Sequence, residues 1–312
     1  MDVLEAVLPV FLVVALGAGA ARYNLLEASF IERANRLVYA FFLPALLFHK
    51  IGTSDFAQAF SAPLVLGAYG ATVATFLLSL LALRRRGLAP GAQGSFVQGS
   101  FRGNLAYVGL PIVLSAVGDA GLAQAGVLLG FMVPLMNALA VTALVLPHRH
   151  GGVPGRAAAR RFAGELATNP LILSSLLGIL WSTLRLPVPG LADRTLSLLS
   201  QATLPLSLLC LGGAFSLGRA RFGLGTATVC SAAKLLVLPL LALAFYRALG
   251  VSGPDLRVGM IMMACPTAVV SYVMASQLQG DRELSGNIVV LTTAASPLTI
   301  TGWLFLLRLL EW

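Results

Sequence analysis

Two basic side chains stand inside long apolar runs of this sequence. Arg102 precedes the stretch NLAYVGLPIV, and Lys234 lies in SAAKLLVLP. No Asp or Glu stands at comparable depth in these runs. A charge so placed is costly, and it is normally kept for function or for a partner. A guanidinium fork matches a carboxylate in geometry. Arg102 therefore either meets a substrate carboxylate or reaches along its apolar stem to a polar boundary. Lys234 reads as a counter-ion or titrating switch, or else as a tether to a helix C-terminus.

Helix-weakening and hydrogen-bonding residues surround these cations. Asn104, Gly109 and Pro111 follow Arg102, and Cys265, Pro266, Thr267 and Ser271 form part of ACPTAVVS. Asn137 in FMVPLMNAL is a further polar candidate, with a helix–helix hydrogen bond as its plainer reading. A break in a membrane helix frees N–H and C=O groups that lipid cannot satisfy, so it must face protein or a watery cavity. Half-helix N-termini at such a break carry partial positive charge, which suits a carboxylate. The expected substrate site is therefore Asn104, Gly109, Pro111, Cys265, Pro266, Thr267 and Ser271, with Asn137 and Arg102 beside them.

Other chemistries find no matching pattern. The sequence has no G-x-S-x-G, no H-E-x-x-H, no paired intramembrane Asp and no phosphate-binding glycine loop with Lys. No enzyme activity, cofactor or metal is expected, and a lone His148-x-His150 is a weak metal signal. Cys210, Cys230 and Cys265 are widely spaced in apolar runs and read as small buried hydrophobes. Without a nucleotide motif, any transport should be driven by a gradient.

Positioning these residues falls to membrane helices. The chain is 58% hydrophobic and 11% charged, with a mean hydropathy of +0.88. A soluble domain is about one quarter charged. Apolar runs of roughly twenty residues fit the bilayer, and they predict ten spans at 3–22, 31–50, 60–83, 94–118, 121–147, 166–186, 194–217, 222–249, 256–280 and 284–308. Prolines at Leu43-Pro44 and Leu204-Pro205 interrupt the second and seventh. The net charge of +9 is spread through the breaks between runs, which suits topology signalling and gives no sign of nucleic-acid binding. Breaks after odd-numbered spans hold most of it, including Arg84, Arg85, Arg86, Arg149, Arg156, Arg160 and Arg161. The positive-inside rule then places both termini outside a cytoplasmic membrane. Asp2 and Glu5 stand where a signal peptide would be basic, so the first span is expected to be retained.

The Gly/Pro-rich break at 148–165 separates two halves, 1–147 and 166–312, of five spans each. YVGLPIVLS in the fourth span answers MMACPTAVVS in the ninth, and FFLPALLF in the second answers ATLPLSLL in the seventh. Pro134 and Pro297 stand in the two fifth spans. Five spans per half make the repeat inverted. Matching Gly/Pro-interrupted spans in inverted halves are the best sequence pointer to a transporter's binding site.

The ordered set FRGNLAYVGLPIV, FLPALLF, NPLILSSLLGI, TLPLSLLCLGGAF and ACPTAVVSYVMASQLQGD resembles the bacterial branch of the auxin efflux carrier family over essentially the whole chain. The resemblance implies an all-α membrane protein of ten transmembrane helices, built as two inverted five-helix repeats with broken, crossing helices 4 and 9. It implies a scaffold domain from spans 1, 2, 6 and 7 and a transport domain from spans 3–5 and 8–10. It implies a small organic anion as substrate, such as malate, malonate or an auxin-like acid, carried by alternating access. It makes the Pro111 and Pro266 crossing the substrate site, with Asn104 the polar residue that best matches the motif. Proton or sodium coupling stays open, and a homodimer through the scaffold spans is allowed by analogy. The central loop is shorter than in plant members, and the third span has no charged residue to serve as a support site. A sodium-coupled bile-acid-type symporter is the nearest alternative, although the ninth span offers no carboxylate before Asp281. A membrane sensor or an intramembrane enzyme is further off, since neither a signalling domain nor a nucleophile with its base is visible.

Overall fold

The computed structural model describes residues 3–83, 87–151, 164, 168–216 and 224–310. Arg84, Arg85, Arg86, Arg156, Arg160 and Arg161 lie outside the described residues, as does most of the central break. Among the described residues the only β-pairing is a single bridge, and everything else regular is helical. Among the described residues six helices are long and apolar enough to cross a membrane: Val3–Arg22, Ala62–Leu83, Asp119–His148, Gly190–Ala214, Leu224–Ala248 and Arg282–Leu309. The apolar helices Leu105–Val117 and Pro170–Thr183 are shorter.

The side-chain pattern explains why these helices belong in lipid. Helix α1 (Val3–Arg22) buries Ala6, Val7, Val10, Val14 and Gly17. Its other face exposes Leu4, Leu8, Leu12 and Leu16, a continuous i,i+4 row of leucine. Such a stripe would be a liability in water and is at home in hydrocarbon. The chain is a multi-pass membrane protein.

The helices fall into two compact units. The first comprises Met1–Ala62, Ala106–Phe131 and Ala167–Arg219. It contains α1, α2 (Ala28–Leu37) and α3 (Leu43–Gly52). The second comprises Pro63–Leu105, Met132–Leu166 and Ala220–Trp312. It contains most of α4 (Ala62–Leu83) and all of α5 (Pro90–Phe101). Helix α6 (Leu110–Val117) lies in the first unit, and the long α7 (Asp119–Val145) contributes to both. Of the later helices, α8 (Pro170–Thr183) and α9 (Gly190–Ser216) belong to the first unit. Helices α10 (Leu224–Ala232), α11 (Leu238–Ala248), α12 (Gly253–Ala264), α13 (Val270–Gln277) and α14 (Arg282–Leu309) belong to the second.

Close backbone approach organises the first unit. A Cβ placed on Gly212 of α9 would stand 1.9 Å from the Val14 carbonyl oxygen of α1, and one on Gly17 would stand 2.2 Å from that of Leu209. Small residues let membrane helices come this near, where packing replaces the hydrophobic drive that lipid removes. Gly212→Val is therefore expected to destabilise the protein by about 2–3 kcal/mol through overpacking. Gly19→Ala in α1, where an added Cβ meets nothing within 4 Å, should be nearly neutral. Thermal unfolding in detergent compares the two.

The second unit is built around aromatic packing. Phe76 of α4 and Phe101 of α5 meet edge to face at 5.9 Å, with Phe96, Cys230 and Ile288 in the same core. Gly99 of α5 sits against Cys230 and Ile288, where an added Cβ would be 3.1 Å from each.

Proline is accommodated in two ways. Among the described residues three π-helical turns, Val38–Phe42, Leu105–Gly109 and Ala233–Val237, each lead into an α-helix with proline at its second position: Pro44, Pro111 and Pro239. A π-turn widens the helix where proline removes an N–H and crowds the preceding carbonyls, so the helix continues. Pro205 lies inside the unbroken α9. The second and seventh spans are thus not interrupted at their prolines. Nor is the fourth span broken at Gly109–Pro111. Its break lies earlier, at Arg102–Asn104, between α5 and the π-turn, because the π-turn absorbs Pro111. The ninth span breaks where expected, at Cys265–Ala268 around Pro266.

Candidate functional site

In the second unit the two breaks meet. Gly103 and Thr267 form an antiparallel bridge. Asn104 N–H donates to the Pro266 carbonyl at 2.8 Å, and Ala268 N–H donates to that of Arg102 at 2.9 Å. Each break satisfies part of the other's freed backbone, the solution open to irregular chain shielded from lipid. The structure thus pairs Gly103 with Thr267, a different register from the proline-to-proline match of Pro111 with Pro266.

Side chains finish the half-helix ends. The last carbonyls of a helix have no intrahelical partner and must find one elsewhere. Thr267 Oγ1 donates to the Gly99 carbonyl near the end of α5 at 2.8 Å. Lys234 Nζ donates to the Met263 carbonyl near the end of α12 at 3.0 Å. Thr292 Oγ1 accepts from Thr267 N–H at 3.1 Å. Lys234 is 0% exposed, and it enters none of the ion pairs among the described residues. Of the two readings of Lys234, the structure contains the contact with a helix C-terminus, and the amine of this buried lysine stands at the crossing.

Arg102 and Asn137 form a second pairing. The Arg102 guanidinium donates to Asn137 Oδ1 at 2.6 Å and to the Met136 carbonyl at 3.4 Å. Arg102 is buried, so its charged end is held by α7 instead of reaching outward. A charge-assisted bond of this kind fixes the fork's direction.

The crossing also carries buried polar atoms without partners among the described residues: Asn104 Nδ2, Ser271 Oγ and Gln98 Oε1. The other end of the Gln98 amide donates to the Ser271 carbonyl at 2.8 Å. A buried polar group left unmatched costs about 1–3 kcal/mol, so each such atom in a native fold calls for an explanation. Asn104, Arg102, Asn137, Cys265, Pro266, Thr267, Ser271 and Lys234 all belong to this unit. Gln98 and Thr292 belong to the same network and were not expected. Their signal in the sequence is slight, since Gln98 stands among serines and glycines and Thr292 beside Thr293.

Gly109 and Pro111 belong to the first unit. There Pro111 lines a cavity of about 510 Å³, whose walls include Pro9, Val10, Leu46 and Leu122. Its polar groups include His49 and Lys50, consecutive residues of α3. Lys50 Nζ is 2.6 Å from Asp119 Oδ1, and His49 Nε2 is 2.9 Å from Asp193 Oδ1. His49 Nδ1 lies 3.4 Å from Ser200 Oγ. In the sequence His49 and Lys50 stand at the end of the 31–50 apolar run, where such residues are ordinary. Their acidic partners are remote in sequence, so no local pattern shows them.

Comparison with known proteins gives the family of the chain. A family model described as membrane transport protein matches residues 2–151 and 156–304. An "Uncharacterized transporter" of Methanothermobacter thermautotrophicus is 26% identical, over 96% of this chain and 96% of its own length. A "Putative malonate transporter" of Rhizobium meliloti is 26% identical, over 98% of this chain and 96% of its own length. Auxin efflux carrier component 1 of Arabidopsis thaliana is 28% identical over a shorter region, 46% of this chain and 24% of its own.

Proposed function

This chain belongs to the membrane transport protein family, and on that premise we propose that it carries a small organic anion, a mono- or dicarboxylate, by alternating access. It is a transporter and not an enzyme. In the proposed arrangement it crosses the cytoplasmic membrane ten times as two inverted repeats, with both termini outside. The scaffold is drawn from spans 1, 2, 6 and 7 and the transport domain from the rest.

The observation that carries the proposal is Asn104 Nδ2, a buried donor with no partner among the described residues. It stands at a break whose following helical turn presents unpaired N–H groups. A carboxylate oxygen accepts from both kinds of donor, and it places negative charge where the helix dipole favours it. Thr267 and Pro266 hold the break open, Ser271 supplies a hydroxyl, and Arg102, steadied by Asn137, adds positive potential. Lys234 is the counter-charge. The relatives named for malonate and auxin transport support an organic acid as cargo.

Sodium coupling gains less support than the anion site. The Met263 carbonyl, an oxygen of the type a sodium ion would coordinate, is already taken by Lys234.

Purified protein in liposomes tests the reading, with labelled malate, malonate and indole-3-acetate offered under sodium and pH gradients in turn. Saturable uptake of at least one acid is expected, and the gradient it follows identifies the coupling ion. Folded, inserted protein that takes up none of the three would refute the carboxylate assignment.

A further inference from the structure

We propose that the cavity of the first unit is a docking station for the transported carboxylate, with Lys50 as receiver and Asp119 as a built-in carboxylate that holds Lys50 while the station is empty. The inference rests on the organic-anion reading above and assigns new residues to it.

The two ion pairs at this cavity differ in a way that gives them different duties. His49 is buried, and both ring nitrogens have neighbours, Asp193 and Ser200. That arrangement fixes the end of α3 against α9. The Lys50–Asp119 pair is looser, because the Asp119 side chain is 73% exposed and that of Lys50 is 27% exposed. An ion pair so open to water is weak and screened by salt. Its acidic member can therefore be replaced by another carboxylate at little cost, and Lys50 never has to stand uncompensated.

Position makes the replacement productive. Asp119 is the first residue of α7 and follows Gly118, whose φ of 83° reverses the chain in the left-handed region that glycine tolerates. A carboxylate arriving on Lys50 thus also meets the N-terminal end of a long helix, where negative charge is favoured. Ser115 and Gln201 line the same cavity and offer donors beside it. The apolar walls accommodate the carbon body of an organic acid. The exchange conserves charge: one carboxylate leaves Lys50 for water as another takes its place.

The test measures initial uptake against concentration in liposomes, with labelled malonate and indole-3-acetate as probes and the full chain throughout. Asp119→Asn should lower KM about two- to fivefold, the scale of releasing a half-exposed ion pair. Lys50→Gln should raise KM, Lys50→Arg should stay near wild type, and the double variant should behave as Lys50→Gln. Asp119→Ser repeats the first arm should the Asn variant fold poorly. A purely structural ion pair predicts instead that both single variants move KM in the same direction, or not at all, and either result overturns the proposal. Absence of saturable uptake by the wild type would overturn the organic-anion reading itself, and this inference with it.

Discussion

Lys234→Met is expected to reduce transport at least ~100-fold, the loss of roughly 3 kcal/mol of charge stabilisation in a water-excluded site. Met nearly matches the lysine stem in volume, and such swaps are the best tolerated in a packed interior. What it removes is the amine, and two consequences separate. The Met263 carbonyl loses its side-chain donor, which costs about 1–3 kcal/mol if nothing replaces it. Against this, the variant no longer carries the cost of burying an amine that enters no ion pair among the described residues. Thermal stability is therefore expected to change little while transport collapses. If Lys234 were only a tether for the end of α12, stability would fall and residual transport would scale with the folded fraction. Uptake normalised to folded protein distinguishes the two.

Asn104→Ala should weaken binding of the transported acid about 10- to 100-fold, the value of about 1.5–3 kcal/mol for a hydrogen bond to a charged group. Its effect on stability should have the opposite sign. The Asn104 amide nitrogen has no partner among the described residues, so its removal takes away an unsatisfied buried donor. The Asn104 backbone N–H, bonded to the Pro266 carbonyl, remains in the variant, and the crossing should persist. A residue whose loss leaves the fold as stable or more stable, yet damages binding, is serving the ligand. Asn104→Asp should be worse still, since it sets a like charge against the carboxylate.

Much of the second unit's crossing was legible in the sequence. Proline and glycine within an apolar run are visible without a structure, and so are an Arg, a Lys and an Asn among leucines. Pro266 marks its break correctly. Pro111 did not mark the other, because a proline announces a local difficulty without saying how the helix resolves it. A π-turn resolves it at Leu105–Gly109, and the break falls instead at Arg102–Asn104, where Gly103 bridges Thr267 in the other break. The pairing of Arg102 with Asn137 could not be read from the chain, since it joins residues on different helices. The Lys50–Asp119 contact was hidden for the same reason, both residues having the look of ordinary span-end charges. Gln98 and Thr292 carry no such signal, because neutral polar residues are common enough in these helices (Ser95, Ser100, Thr293) that none stands out. Family membership rests on a different kind of signal, a match to the family over residues 2–151 and 156–304.

The most direct test of the crossing as the anion site is equilibrium binding of the transported acid to purified wild-type protein and to Asn104→Ala, side by side in detergent. Binding at least about tenfold weaker in the variant, with thermal stability equal or higher, is the predicted result. Equal affinity in two equally folded proteins would contradict the placement of the carboxylate at the crossing of the two breaks.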